Sequence, residues 1–163
     1  CPVVVVREDN HVTDSTKYGP VVVGVDGSEV SQKATAYAFR EAQARGAALI
    51  AVHTWMDMQV QASLAGLSAA QSEWADIEKE QSELLTENLK EPREEYPEVE
   101  VKKLITRDRP VSALTEAAEG AQLLVVGSHG RGGFKGMLLG STSRALLQSA
   151  PCPMMVVRPD EES

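Results

Sequence analysis

The residues best suited to chemistry lie between Gly127 and Ser143. Gly127-Ser128-His129-Gly130-Arg131-Gly132-Gly133 opens the stretch and Gly140-Ser141-Thr142-Ser143 closes it. The glycines at 127, 130, 132, 133 and 136 carry no Cβ, so the backbone N–H groups there can approach an anion closely. The hydroxyls of Ser141, Thr142 and Ser143 stand where a helix is expected to begin, adding donors at the positive end of its dipole. Such a loop suits phosphate groups, and Arg131 and Lys135 inside it could add cationic contacts. It is neither of the two best-known phosphate loops: no GxxxxGK[ST] occurs, and GxGxxG fails because Lys135 stands where its last glycine belongs.

A second group, Gly24-Val25-Asp26-Gly27-Ser28, follows a valine-rich run. Asp26 can accept from a ligand or merely cap the next helix, and His129 can be a ligand contact or an ordinary loop histidine. His11 and His53 have no partner at metal spacing, so a structural or surface role is expected for each. Trp55, Trp74 and Tyr37 read as core or helix-face residues.

These groups must be positioned by alternating strands and helices. Pro20 to Asp26 is a short apolar run suited to a strand buried on both faces. Ser28 caps a helix with Val30, Ala34, Tyr37 and Ala38 on one face, ended by Gly46. Ala47 to Trp55 reads as strand two. From Ser68 a long helix is expected, with Trp74, Ile77, Gln81, Leu84, Leu85 and Asn88 at helical spacing until Pro92. Val99 to Ile105 alternates like a half-exposed strand near a sheet edge. Pro110 starts a helix that Gly120 ends, Ala121 to Val126 is a fourth strand, Ser141 to Ser149 a helix and Pro153 to Arg158 a fifth strand. The alternation predicts an α/β fold: a doubly wound, five-stranded parallel sheet of order 3-2-1-4-5 with strand five at its edge. In that order strands one and four are neighbours, which sets Asp26 and the glycine loop on either side of one crevice.

Composition narrows the function. The 163 residues suit one core, and 42% hydrophobic and 25% charged residues describe a globular chain. No apolar run approaches a membrane span. Sixteen Lys and Arg against twenty-four Asp and Glu give a net charge of -8, which opposes nucleic-acid binding. The charge is uneven, because no carboxylate lies between Glu119 and Asp160. Two cysteines, neither in a CxxC pair, suit a reduced, cytoplasmic setting, and the start at Cys1-Pro2-Val3 reads as that of a fragment without a targeting signal. Cys1 to Arg7 also agrees with Cys152 to Arg158 at five of seven positions. Residues 1–7 are therefore expected to be the last strand of a preceding, similar domain, 8–19 a linker, 20–159 the main domain and 160–163 a tail. Val3 to Val6 is expected to lie antiparallel against Met154 to Val157, of the same chain or a neighbouring copy, with Cys1 and Cys152 at opposite ends of the ladder.

Gly127-x2-Gly130-x9-Gly140-Ser141 matches the G-2x-G-9x-G-[S/T] signature of ATP-binding universal stress proteins. Val22 to Ser28 resembles that family's opening strand, Pro110-Val111-x2-Leu114 its third helix and Ala150-Pro151-Cys152-Pro153 its closing turn, so the resemblance spans about residues 18–159. It implies an adenine nucleotide alpha hydrolase-like fold with ATP as ligand, Mg²⁺ being left open. Gly24, Val25 and Asp26 would meet adenine and the neighbouring sugar, with Thr54 as a further adenine-side position. Gly127, Ser128, His129 and Gly130 would meet ribose and the nearer phosphates, Arg131, Gly132 and Gly133 completing the loop. Gly140, Ser141, Thr142 and Ser143 would meet the outer phosphates. The resemblance further implies dimerisation through strand five, as a homodimer or with a second like domain. No clear general base, Walker lysine or acidic metal pair stands beside the loop, so a regulatory ATP binder, at most a very slow ATPase, is expected, with a slow ATPase or phosphotransfer enzyme as the second reading. An AMP- or cyclic-nucleotide-responsive interaction module is the third reading.

Overall fold

The structure, a computed structural model, describes residues 1–8, 10, 18–55, 66, 71–130 and 138–160, without the side chains of 71–73. Its elements are β1 (Val3–Val5), β2 (Val21–Gly24), α1 (Glu29–Arg45), β3 (Leu49–Thr54), α2 (Gln71–Glu95), β4 (Val101–Thr106), α3 (Pro110–Ala117), β5 (Leu123–Gly127), α4 (Ser141–Ser149) and β6 (Met154–Val157).

The strands form one sheet in the order β1-β6-β5-β2-β3-β4. The five strands from β6 to β4 run parallel, with Val21 opposite both Leu49 and Leu123. β1 is antiparallel to β6, pairing Val3 with Val156, Val4 with Met155 and Val5 with Met154. The expectation of a five-stranded, all-parallel sheet is thereby corrected to six strands in a mixed sheet. The expected edge strand, β6, is interior, because β1 takes up its free N–H and C=O groups. Behind β1 the Arg7 guanidinium bonds the Gln148 carbonyl, and the Arg7 N–H donates to Asn10 Oδ1 at 2.9 Å. With β1 antiparallel to β6, Cys1 and Cys152 sit at opposite ends of the ladder, and both are free.

Alternation along β2 divides the core, since successive strand residues face opposite sides. Val21 and Val23 join Ala34, Ala38, Phe39, Leu85 and Leu89, which α1 and α2 lay over one face. Val22 joins Ala113, Leu114, Leu146 and Met154 on the other face, under α3 and α4. Ser28 caps α1 by accepting from the Ser31 N–H at 3.2 Å, and Gly46 ends that helix in the left-handed region at φ 60°. α2 runs through Pro92 to Glu95 rather than ending there. A proline this close to the end removes one ladder bond, and the turn still closes because the Tyr96 N–H donates to the Pro92 carbonyl at 2.9 Å. Buried Leu85 and Leu89 hold the helix on the sheet meanwhile.

Candidate functional site

Because β2 and β5 are parallel neighbours, their carboxyl ends bring Asp26 and the start of the glycine loop together. The contact is close. A Cβ on Gly130 would lie 2.6 Å from Asp26 Oδ2, so only glycine lets the loop pass there without moving the carboxylate. Asp26 is held by two backbone bonds: the Ser28 N–H donates to Oδ1 at 2.8 Å, and the Asp26 N–H donates to Ser31 Oγ at 3.1 Å. Oδ2 therefore remains as the acceptor turned toward the crevice. Ser31, buried and in turn tied to Thr35 Oγ1 through its carbonyl, was not picked out by sequence reasoning. Its signal was the Ser28-x-x-Ser31 spacing of a helix cap.

Across the crevice the opposite polarity prevails. Gly140 is the N-cap of α4, no side chain caps the helix, and its first turn holds no acidic residue. The first intrahelical bond is made by the Arg144 N–H to the Gly140 carbonyl, which leaves the N–H groups of Ser141, Thr142 and Ser143 without helical partners. The Gly140 N–H itself donates to the Ser128 carbonyl at 2.6 Å and ties the helix start to the end of β5. Ser143 is buried and its Oγ donates to the Gly127 carbonyl at 2.7 Å, so the side chain fixes the scaffold while its N–H faces outward with the helix end. Ser128 is buried too. Its N–H donates to the Val157 carbonyl at 2.8 Å and its Oγ lies 3.0 Å from His129 Nδ1, which orients that imidazole. Gly127 is needed for packing, since a Cβ there would stand 2.9 Å from Val30 Cγ1.

The end of β3 completes the floor. Thr54 is partly exposed, in register with Thr106 of β4 and one strand away from β2. Val25 points into the core, its N–H donating to the Val52 carbonyl at 2.9 Å. Its carbonyl lies 2.7 Å from His53 Nδ1. The other ring nitrogen, Nε2, lies 2.9 Å from Gln81 Oε1, so the imidazole is held between two oxygens. Both His53 and Gln81 are buried, so His53 is a structural bridge from the crevice floor to α2. A leucine of α3 lies beneath Gly24, where a Cβ would come 3.2 Å from Leu114 Cδ1.

The structure thus brings Gly24, Asp26, Gly127, His129, Gly130, Gly140, Ser141 and Thr142 together at the carboxyl ends of β2 and β5 and the start of α4, with Thr54 at the end of neighbouring β3. It gives Val25, Ser128 and the Ser143 side chain to the scaffold. Arg131, Gly132, Gly133 and Lys135 lie outside the described residues. The crevice is polarised, with a fixed carboxylate at one end and unpaired N–H donors at a helix start at the other, an arrangement that accepts hydrogen bonds at β2 and attracts anions at α4.

The sequence model of the universal stress protein family matches residues 17–158. This chain belongs to the universal stress protein family. Universal stress protein Rv2005c of Mycobacterium tuberculosis is 46% identical over 158 residues, covering 97% of this chain and 52% of that protein. The chain thus spans about half the length of the mycobacterial relatives it matches. Among solved universal stress proteins, UspA from Lactobacillus plantarum superposes with a TM-score of 0.69 at 23% identity, over 86% of this chain and 98% of the other. A universal stress protein solved in complex with cAMP superposes with a TM-score of 0.59 at 27% identity, over 86% and 96%.

Proposed function

We propose that this universal stress protein domain binds ATP in the crevice between Asp26 and the start of α4 and acts as a nucleotide-dependent regulatory module rather than an enzyme. The uncapped, acid-free start of α4, tied to the end of β5 by the Gly140–Ser128 bond, carries the reading. Phosphates would lie on the N–H groups of Ser141, Thr142 and Ser143, where the helix dipole favours negative charge. Asp26 would repel phosphate, so the base and ribose belong at its end, where Oδ2 can accept from an amino group or a hydroxyl. The cAMP bound by a family member supports an adenine nucleotide and favours cyclic nucleotide as the second reading. Among the described residues no group of three or more His, Cys, Asp or Glu is placed to hold a metal, so any Mg²⁺ would be held chiefly by the phosphates themselves.

Residues 1–7 are proposed to stand in for the last strand of a preceding like domain, with 8–19 as linker, in a cytoplasmic protein that pairs its domains through β6. Among the described residues no helix is long and apolar enough to cross a membrane. Calorimetric titration with ATP, AMP and cAMP tests the ligand. Contacts to the outer phosphates predict ATP tighter than AMP by about tenfold or more, the equivalent of one charge-assisted bond. Absence of ATP binding, or cAMP binding the tighter, would overturn the ATP assignment. Hydrolysis near the ~10 s⁻¹ typical of enzymes would overturn the regulatory one.

A further inference from the structure

Beyond Thr54, away from the glycine loop, both tryptophans of the chain meet one arginine. Trp55 is buried and Trp74 of α2 lies against it, with ring centroids 5.8 Å apart and tilted by 35°. The Arg107 guanidinium, just past β4, lies 5.0 Å from the Trp55 centroid and 5.2 Å from that of Trp74. Stacking uses the faces of a guanidinium and leaves its N–H edge for in-plane acceptors. Among the described residues no hydrogen bond or ion pair takes up that edge. The neighbouring Asp108 carboxylate accepts from the Arg109 N–H instead, at 2.7 Å. The edge borders an open cleft of about 760 Å³ lined by Trp55, Trp74, Ala75, Ile105, Thr106 and Arg107, with Glu78 also on its wall.

We propose that this cleft is a second binding site, distinct from the crevice at α4, for a small organic anion. Its carboxylate or phosphate group would lie on the Arg107 edge and its apolar body on Trp74 and Ile105. Two indoles fix the guanidinium in one orientation before any ligand arrives, so a bidentate contact forms without first ordering a long side chain. The apolar wall would add burial that a bare inorganic anion could not use. Glu78 opposes the anion by charge and sets the sign of one test.

Both tryptophans belong to the site, so their fluorescence and their two indole N–H signals in two-dimensional NMR report on it, and the Arg107→Gln variant separates its signal from any anion bound in the neighbouring crevice at Thr54. The parent protein is titrated with benzoate, phenyl phosphate and neutral benzyl alcohol at matched ionic strength. The anions should shift both tryptophan signals with half-saturation near about 1 mM, and benzyl alcohol should bind at least tenfold more weakly. The tighter of benzoate and phenyl phosphate identifies carboxylic acid or phosphoester as the ligand class. Arg107→Gln should weaken anion binding tenfold or more, Arg107→Lys severalfold because an ammonium lacks the fork, and Glu78→Gln should tighten it. The proposal is overturned if neither anion shifts the parent's indole signals, if benzyl alcohol binds as tightly as the anions, or if a folded Arg107→Gln variant titrates like the parent. Repeating the titration with the crevice saturated by ATP should leave the Arg107-dependent shifts in place, which keeps this test separate from nucleotide binding at α4.

Discussion

Gly130→Ala is the sharpest test of the crevice geometry. Gly130 does not occupy the left-handed region, so alanine can adopt its backbone, and the effect must come from the added methyl. That methyl would start 2.6 Å from Asp26 Oδ2, about 0.8 Å inside an ordinary contact. Asp26 can retreat only by giving up the Ser28 N–H bond to Oδ1 at 2.8 Å, or else the loop must lift away. A hydrogen bond to a charged group contributes about 1.5–3 kcal/mol, and the lower end applies to a partly exposed carboxylate. Reduced freedom of the unfolded chain returns about 0.4–1 kcal/mol for Gly→Ala, leaving a net loss of roughly 0.5–1 kcal/mol and a fall in Tm of about 1–4 °C. Nucleotide affinity should fall by about tenfold, because the displaced carboxylate or lifted loop is the site itself. Differential scanning fluorimetry and calorimetry are applied to a cycle of parent, Gly130→Ala, Asp26→Ala and the double variant. With the carboxylate absent the alanine should be neutral or stabilising, giving a coupling of at least about 0.5 kcal/mol. Equal costs for Gly130→Ala with and without Asp26 would refute the contact.

Three further outcomes are expected. His53→Phe should lower stability by about 2–4 kcal/mol in urea unfolding, since it strands the buried Val25 carbonyl and the Gln81 amide; a loss under about 0.5 kcal/mol would count against the bridge. Deleting residues 1–7 should turn the chain into a dimer in light scattering at micromolar concentration, because β6 is then an open edge, and a monomer of unchanged stability would contradict this. Burial pushes the Cys152 thiol from 9.0 up to about 11, so the folded state favours its neutral form. The stability this contributes is full below pH 9 and is lost as pH rises toward 11. Iodoacetamide at pH 8 should therefore label exposed Cys1 first, as read by mass spectrometry, and equal rates at the two cysteines would refute the burial effect.

Much of this architecture was legible because its signals are local. Val21-Val22-Val23 between Pro20 and Gly24 has the length and composition of a doubly buried strand, and Ser28 and Gly46 mark the ends of α1 by chemistry that needs no tertiary context. The glycine spacing placed the crevice because parallel strands one and four must be neighbours for Gly130 to reach Asp26. What escaped the sequence depends on distant partners. Pro92 marks a helix stop only where packing is weak, and Leu85 and Leu89 carry α2 past it. Ser143 and Ser128 have the composition of ligand contacts, yet burial turns their hydroxyls inward, to the Gly127 carbonyl and to His129. Arg107 gave no signal because its two indoles come from positions 55 and 74, brought together only by the β3–β4 pairing and the lie of α2.

The place of β1 bears on how such domains associate. β6 is buried along its length, with Met154 2% and Val157 1% exposed, and its outward backbone edge is satisfied by a strand of three residues. That strand covers the edge without burying its own side chains, since Val3 is 53% and Val4 50% exposed. Short ladders contribute little by themselves, so the ties behind it at Arg7, Gln148 and Asn10 must hold β1 in place. A second copy or domain then has two routes to β6: displace β1 and break those ties, or pair with the outer edge of β1 and cover its exposed valines. Arg7→Ala separates the two, because it loosens β1 without removing the valines. Displacement predicts that the variant dimerises more tightly than the parent, and addition at the outer edge predicts that it dimerises more weakly. Displacement is the expected result, because β6 offers an apolar, longer ladder to any replacement strand. Sedimentation of the two proteins at equal concentration decides it, and a weaker dimer in Arg7→Ala would assign the interface to β1.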